Sequence, residues 1–428
     1  LLIRPYFSYI YWMSFFLKSG GATFSAVIQC PDCGQDQILP DLPLGADALC
    51  CRCEARLFRK TRDTVQQTLA LALAGLILFC IANTFPFLSL KLEGQVRETT
   101  LLTGIMGLYQ QGMHGLSILV LLTSVIFPLV QLMGLVYLLL PILAGGPARH
   151  AAAVFRALGR LRPWSMTEVF MLAILVAMIK LAKMADIVPG PALWAFVVLI
   201  FVLVAAFSGL NPEDVWQRIP HRFSNAPGQE AGPLTVCHHC SLTSPLPANE
   251  EAGKCPRCGA RVHKEKPGSI QRTWALVIGA IIFYVPANVL PVTITGTLGS
   301  EQADTIMSGV IYFMFTGSWH IALIIFIASV VIPLMKLVIL IYLLVSVQFR
   351  SQWKPGDRTR LYRFTEAVGR WSMVDVYVVT VLVAMVRLGP LASVDAGPGI
   401  VYFAAVVVTT MFAAESFDSR MIWDHKDM

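Results

Sequence analysis

LSILVLLTSVIFPLVQLMGLVYLLL, from Leu116 to Leu140, contains no charged side chain. Crossing the ~30 Å hydrocarbon core of a bilayer takes about 20 apolar residues as a helix, so this stretch reads as a membrane span. Seven more apolar runs lie near 69–90, 166–188, 191–210, 273–294, 321–347, 373–393 and 398–414. The composition agrees. Of 428 residues 56% are hydrophobic and only 14% charged, and the mean hydropathy is +0.66. Soluble domains carry about 25% charged residues, so soluble, disordered and fibrous classes are excluded. There is no Walker-type phosphate loop, so the chain is not expected to hydrolyse ATP by itself, nor to be an enzyme.

The eight runs are two copies of four. Ala82-Asn83 and Pro86 recur as Ala287-Asn288 and Pro291, Thr100 and Gly104 as Thr305 and Gly309, and Pro128 as Pro333, all at one shift. Trp164-Ser165-Met166 recurs as Trp371-Ser372-Met373, and Gly190-Pro191 as Gly397-Pro398, at a slightly longer shift that one loop length change explains. Four spans per half is an even number, so the halves share one orientation as parallel repeats.

Each block follows a cysteine-rich segment. Cys30, Cys33, Cys50 and Cys53 form two C-x-x-C pairs, as do Cys237, Cys240, Cys255 and Cys258. Paired knuckles of this kind place four thiolates tetrahedrally around zinc, and the metal supplies folding energy that so short a segment lacks. Two zinc ions per chain are expected. Pro31 with Gly34, and Pro256 with Gly259, supply turn chemistry. Four thiolates close the coordination sphere, which argues against catalytic zinc, and no βαβ pattern supports a thioredoxin-like role. Cys51 is a spare thiol, though spacing leaves the register within Cys50-Cys51 open. His238 and His239 are expected to be exposed and not ligands.

The fold class is therefore an all-α polytopic membrane protein in two tandem repeats, each a cytoplasmic zinc ribbon followed by a four-helix transmembrane block. The division is an extension of unassigned role (1–27), ribbon (28–60), block (61–220), ribbon (221–265), and block with a short tail (266–428). Orientation follows from basic residues in short loops. The loops between runs two and three and between six and seven carry Arg149, Arg156, Arg160, Arg162, Arg350, Lys354, Arg358, Arg360, Arg363 and Arg370, while those between one and two and between five and six hold only Lys91 and Arg97. The Arg-rich loops, both termini and both ribbons are thus expected in the cytoplasm.

Ionisable groups at membrane depth are costly and mark function by default. Lys336 lies mid-run, three residues after Pro333, with Ser329 seven residues earlier on the same face. Asp375, Ser372 and Thr410 are the polar groups available on the neighbouring runs, and the set is a candidate transport cluster. Gln131 and Glu168 stand where the first half would have Lys336 and Asp375. Two bland readings remain open: a structural Lys336–Asp375 ion pair, and first-turn carboxylates favoured by the helix dipole. Lys180, Lys183 and Asp186 read as snorkelling groups at the outer end of the third run.

The two ribbons, the duplicated blocks, the Gly369–Asp375 segment Gly-Arg-Trp-Ser-Met-x-Asp and the ending Glu415-Ser416-Phe417-Asp418-Ser419-Arg420 with Trp423-Asp424 resemble the paraquat-inducible protein A family. The first half departs from the pattern at Arg162-Pro163 and at Glu168. The resemblance implies a bacterial inner-membrane protein that moves phospholipid between inner and outer membranes with a periplasmic MCE-domain tunnel partner, and no nucleic acid. A non-transporting scaffold whose ribbons recruit partners is the alternative, and a zinc or redox sensor is a third reading.

Overall fold

A computed structural model describes residues 27–423 except 39–42, 44, 60–64, 93–94, 147, 182–185, 220–230, 248–251, 264–265, 298–299, 316, 318 and 386–391. The extension 1–26 and Lys183 lie outside the described residues. Among the described residues eight helical spans run over Val65–Thr84, His114–Leu143, Ala151–Ile179, Pro191–Gly209, Ser269–Val289, Ala322–Gln348, Pro355–Met385 and Gly399–Ser416, numbered one to eight below. Their number and pairing into two blocks match the sequence reading. Spans three and seven start earlier than hydropathy suggests, because each is preceded by an amphipathic helix joined through a 3-10 turn, Arg162–Trp164 or Arg370–Met373.

Spans one, three, five and seven also stop short of the apolar runs. The residues beyond them form strands, which hydropathy alone cannot distinguish from helix. Leu88–Leu92 is the centre of an antiparallel sheet between Gln95–Thr99 and Asp186–Pro189, and Thr293–Thr297 is flanked likewise by Ser300–Asp304 and Ala392–Ala396. Asp186 is therefore a strand residue in register with Lys91, not part of a helix end.

These sheets explain the repeated signatures. The Gly190 amide donates to the Phe87 carbonyl and that of Gly397 to Val292, each at 2.9 Å. A Cβ at either glycine would overlap the carbonyl oxygen of Pro86 or Pro291, so no other residue fits. Asn83 and Asn288 turn their amides back to the carbonyls of Phe79 and Tyr284, both 2.8 Å, closing their helix ends.

Within each half the first and fourth spans pack along each other, and spans three and seven pack together between the halves. Tyr377 on span seven sits edge-on to Phe170 of span three, with ring centroids 5.5 Å apart. Spans two and six carry π turns, Leu122–Ile126 and Ile327–Val331, just before Pro128 and Pro333. A proline removes one donor from the helix ladder. The π turn absorbs the defect: the amides of Phe127 and Ile332 reach five residues back, to Leu122 and Ile327.

The ribbons cross over. Cys30, Cys33, Cys50 and Cys53 pack with Leu340, Leu344, Tyr362, Phe417 and Trp423 of the second block. Cys237, Cys240, Cys255 and Cys258 pack with Leu135, Leu139, Leu158 and Trp216 of the first. The ribbons also touch each other, where Gln29 Oε1 accepts from the Val236 amide at 3.1 Å.

Candidate metal centres and the intramembrane polar cluster

Four knuckles share one backbone pattern. The amide of the first cysteine in each pair donates to the carbonyl five residues on, and the residue four on donates back: Cys30 with Gln35 and Gly34, Cys50 with Ala55 and Glu54, Cys237 with Leu242 and Ser241, Cys255 with Ala260 and Gly259. The loop so formed turns both thiols of a pair to one side. In each ribbon the four Sγ atoms lie within 4.8 Å of one another, all buried. Close pairs are 3.6 Å for Cys30–Cys53 and Cys33–Cys50, 3.5 Å for Cys237–Cys258 and 3.4 Å for Cys240–Cys255. A tetrahedron with metal–sulfur bonds of ~2.3 Å has edges of ~3.8 Å, so each set fits one four-coordinate metal ion with little adjustment.

The electrostatics fit as well. Hydrogen bonds from the Cys33 thiol hold Cys30 down to about 5, and those from Cys240 hold Cys237 down to about 7. The hydrogen bond to Cys30 pushes Cys33 up, and burial pushes Cys53 up to about 11. Thiols this close compete for ionisation, and a central cation removes the conflict. The structure also resolves the open register. Cys50 is in the cluster, whereas Cys51 is exposed, its amide bonded to Gln37 Oε1 at 3.2 Å. His238 is exposed, and the half-buried His239 meets Arg160 at 3.2 Å. Neither belongs to a cluster.

Arg363, read from the sequence as a topology marker, holds the first ribbon in place, and Arg257, which the sequence reading does not single out, holds the second. Arg363 bonds Asp32 at 2.7 Å, the Cys53 carbonyl at 3.1 Å and Cys53 Sγ at 3.2 Å. Arg257 of the second ribbon makes two bonds to Glu213 after span four, 2.6 and 2.9 Å. The Arg-rich loops and the ribbons therefore share one end of the bundle. The motif at the end of span eight is a lock on the start of span five. Asp418 accepts from Arg420 Nη2 at 2.9 Å and from the Lys266 amide at 3.1 Å, while Ser269 Oγ donates to the Ser416 carbonyl at 2.8 Å.

Within the bundle, Lys336 is 1% exposed and donates to Thr410 Oγ1 of span eight at 2.9 Å. Among the described residues this is its one hydrogen bond, and it forms no ion pair, so the Lys336–Asp375 bridge left open above is not the arrangement present. The segment at Gly369 passes over the ammonium: a Cβ there would lie 3.8 Å from Nζ. Ser329 lies within the π turn of span six, which packs against the Arg370–Met373 turn and against span seven. Ser329 Oγ and Ser372 Oγ are buried with no partner among the described residues. Asp375 lies half-buried in the first turn of helix Val374–Met385, the later part of span seven. In the first half Gln131 is equally buried at the position of Lys336, Ser124 occupies that of Ser329, and Tyr377 donates to Thr123 Oγ1 at 2.7 Å. The Tyr377–Thr123 bond between the halves leaves no trace in the linear spacing.

Fold and sites together define a duplicated polytopic membrane protein with one four-cysteine ribbon and one four-span block per repeat. The chain belongs to the paraquat-inducible protein A family, whose sequence model matches residues 65–220 and 270–427, one match per block. It is 34% identical to intermembrane transport protein PqiA of Escherichia coli K12, over 93% of this chain and 96% of the relative. Lipophilic envelope-spanning tunnel protein A of the same strain is 32% identical over 92% and 91%. A probable intermembrane transport protein of Haemophilus influenzae is 29% identical over 93% and 95%. No solved structure matches the chain.

Proposed function

We propose that this chain is a component of the bacterial inner membrane that passes phospholipid to or from a periplasmic MCE-domain tunnel. Relatives named for intermembrane transport and for an envelope-spanning tunnel align with it nearly end to end, which supports transport over a scaffold role. The ten-to-two bias of basic residues supports cytoplasmic ribbons. The closed, buried thiol sets support zinc, two ions per chain, whose contribution is to fold each ribbon. Elemental analysis of the full chain is expected to give two zinc atoms, and fewer at saturation would remove this assignment.

Lys336 carries the transport reading. An ammonium at membrane depth costs at least ~3 kcal/mol on insertion scales, and here one hydroxyl is its hydrogen-bond partner among the described residues. Helix packing alone would favour an apolar residue. The second repeat therefore holds the working cluster of Lys336, Thr410, Ser329, Ser372 and Asp375. Lys336 offers positive charge to a lipid phosphate or exchanges a proton with Asp375. Transfer of labelled phospholipid from vesicles holding the full chain to a soluble MCE-domain acceptor is expected to be abolished by Lys336→Ala and Asp375→Ala, with protein levels unchanged, and little affected by Gln131→Ala. Full transfer by Lys336→Met would show the cluster to be structural.

A further inference from the structure

Spans two and six end in the same backbone motif, but the side chains laid on it differ. After span two the Ala144 amide donates to the Leu140 carbonyl and the Gly146 amide to that of Pro141, both at 3.1 Å. After span six Phe349 donates likewise to Val345 at 2.9 Å and Ser351 to Ser346 at 3.0 Å. The residue between takes the left-handed conformation in each case, Gly145 at φ 95° and Arg350 at φ 47°. Glycine is the usual occupant of that position because it has no Cβ to strain. Arginine there is strained, and so is Lys354 at φ 39° four residues on.

Arg350 and Lys354 are both exposed, and among the described residues neither pairs with a carboxylate. Asp357, three residues further on, is engaged by Arg360 at 3.7 Å. The residues just before the two cations are aromatic, Phe349 at 81% exposure and Trp353 at 65%. Lys354 Nζ lies 5.3 Å from the indole ring. Beneath the turn Arg358 is 2% exposed. Its guanidinium donates to Ser346 Oγ at 3.2 Å and to the Ser351 carbonyl at 2.6 Å, and no carboxylate among the described residues neutralises it. The first repeat lacks all of this. Its turn, 144–149, has no aromatic residue and Arg149 as its one cation, and alanine fills 151–153 where Arg358 would fall.

We propose that the turn 349–354 is a binding site for the headgroup of an anionic phospholipid, at the ribbon end of span six and apart from the intramembrane cluster. The turn begins one residue after the span ends, at the depth where a bilayer presents its phosphates. Arg350 and Lys354 offer exposed charge to a phosphate, and buried Arg358 adds a fixed positive field from below. Phe349 and Trp353 supply the aromatic surface that residues at a membrane interface use. Helix Pro355–Gly369 starts at the next residue, with the positive end of its dipole at the same turn. A bound headgroup satisfies charge that no protein group satisfies, which offsets backbone strain that Gly145 avoids in the first repeat. An acidic protein would use the cations but has no need of two aromatics at bilayer level. The site requires a chain that crosses a bilayer, and it holds whether or not the chain moves lipid.

The full chain would be reconstituted in vesicles of phosphatidylethanolamine and phosphatidylglycerol, one lipid or the other carrying a photoreactive group near its headgroup. Crosslinked peptides would be mapped by mass spectrometry. Phosphatidylglycerol is expected to label 349–354 severalfold more than phosphatidylethanolamine does, and severalfold more than it labels 144–149. Arg350→Gly and Lys354→Gly each remove a charge while relieving the backbone. Each should lower the label severalfold, with the thermal unfolding midpoint unchanged or higher, whereas Arg350→Lys keeps the charge and the label. Equal labelling by the two lipids or of the two turns would overturn the site. So would a glycine variant that keeps full label or unfolds at a lower temperature. Displacement of the label by inorganic phosphate would show a site for free anions and overturn the lipid assignment.

Discussion

Ser241 holds φ at 55° and Glu54 at 58°, where the matching knuckle positions are Gly34 and Gly259, both at 70°. The left-handed region costs a residue with a Cβ roughly 1–2 kcal/mol. Ser241 is exposed, so little side-chain packing offsets that cost. Ser241→Gly is expected to stabilise the second ribbon by about 1 kcal/mol, read as a higher chelator concentration needed to strip metal from the full chain. A lower midpoint would show that the hydroxyl contributes more than the backbone strain takes away. At the other ribbon Glu54 meets Arg360 at 2.7 Å in the open, and an exposed pair of this kind contributes little. Asp418 shows a different balance. Burial opposes its ionisation, but the bonds from Arg420 outweigh burial and hold the carboxyl below its usual range. Its stabilisation is complete above the unfolded value of about 3.8 and is lost as pH falls through the lower folded value. Exchange protection of the Lys266 amide should therefore persist at pH 4 and fail only in stronger acid. Loss of protection between pH 6 and 5 would contradict the lock.

At the scale of elements, the crossing of the ribbons is the arrangement with the most direct consequences. Ribbon one precedes span one in the chain, yet its thiols pack on spans six and seven and the end of span eight. Arg363 is the main polar link, and each charged hydrogen bond of this type contributes roughly 1.5–3 kcal/mol. Arg363→Ala, or Cys30→Ser with loss of metal from that ribbon, is expected to speed hydrogen exchange at the ribbon-facing ends of spans seven and eight. Span one should be unaffected. Faster exchange confined to span one would mean that the ribbon serves its sequence neighbour instead. Proximity in sequence misleads here because a linker can reach either block, and only side-chain complementarity (Asp32 with Arg363, Arg257 with Glu213) selects one.

For the whole molecule, ribbons and Arg-rich loops gather at one end and the two three-stranded sheets at the other. Single cysteines placed in 91–115 and 295–320 are expected to react with a membrane-impermeant thiol reagent from the periplasm. Those in 144–165 should be shielded in intact cells. The reverse pattern would invert the molecule in the membrane and place the ribbons outside. The pseudo-symmetry is broken within the second block, where Lys336 stands against Gln131 of the first.

The linear order of residues by itself determined the eight spans, the duplication and the two four-cysteine sets. Each is a local property: apolar length, a recurring signature, a fixed knuckle spacing. Hydropathy misplaced the ends of four spans, because an apolar run is equally suited to a buried strand. The partner of Lys336 was decided by tertiary structure alone. Asp375 and Thr410 both offered oxygen atoms, and the way span eight lies against span six brings Thr410 to the ammonium. The crossing of the ribbons was decided in the same way. It depends on which surfaces fit at close range across distant parts of the chain, and spacing along the sequence carries no such information.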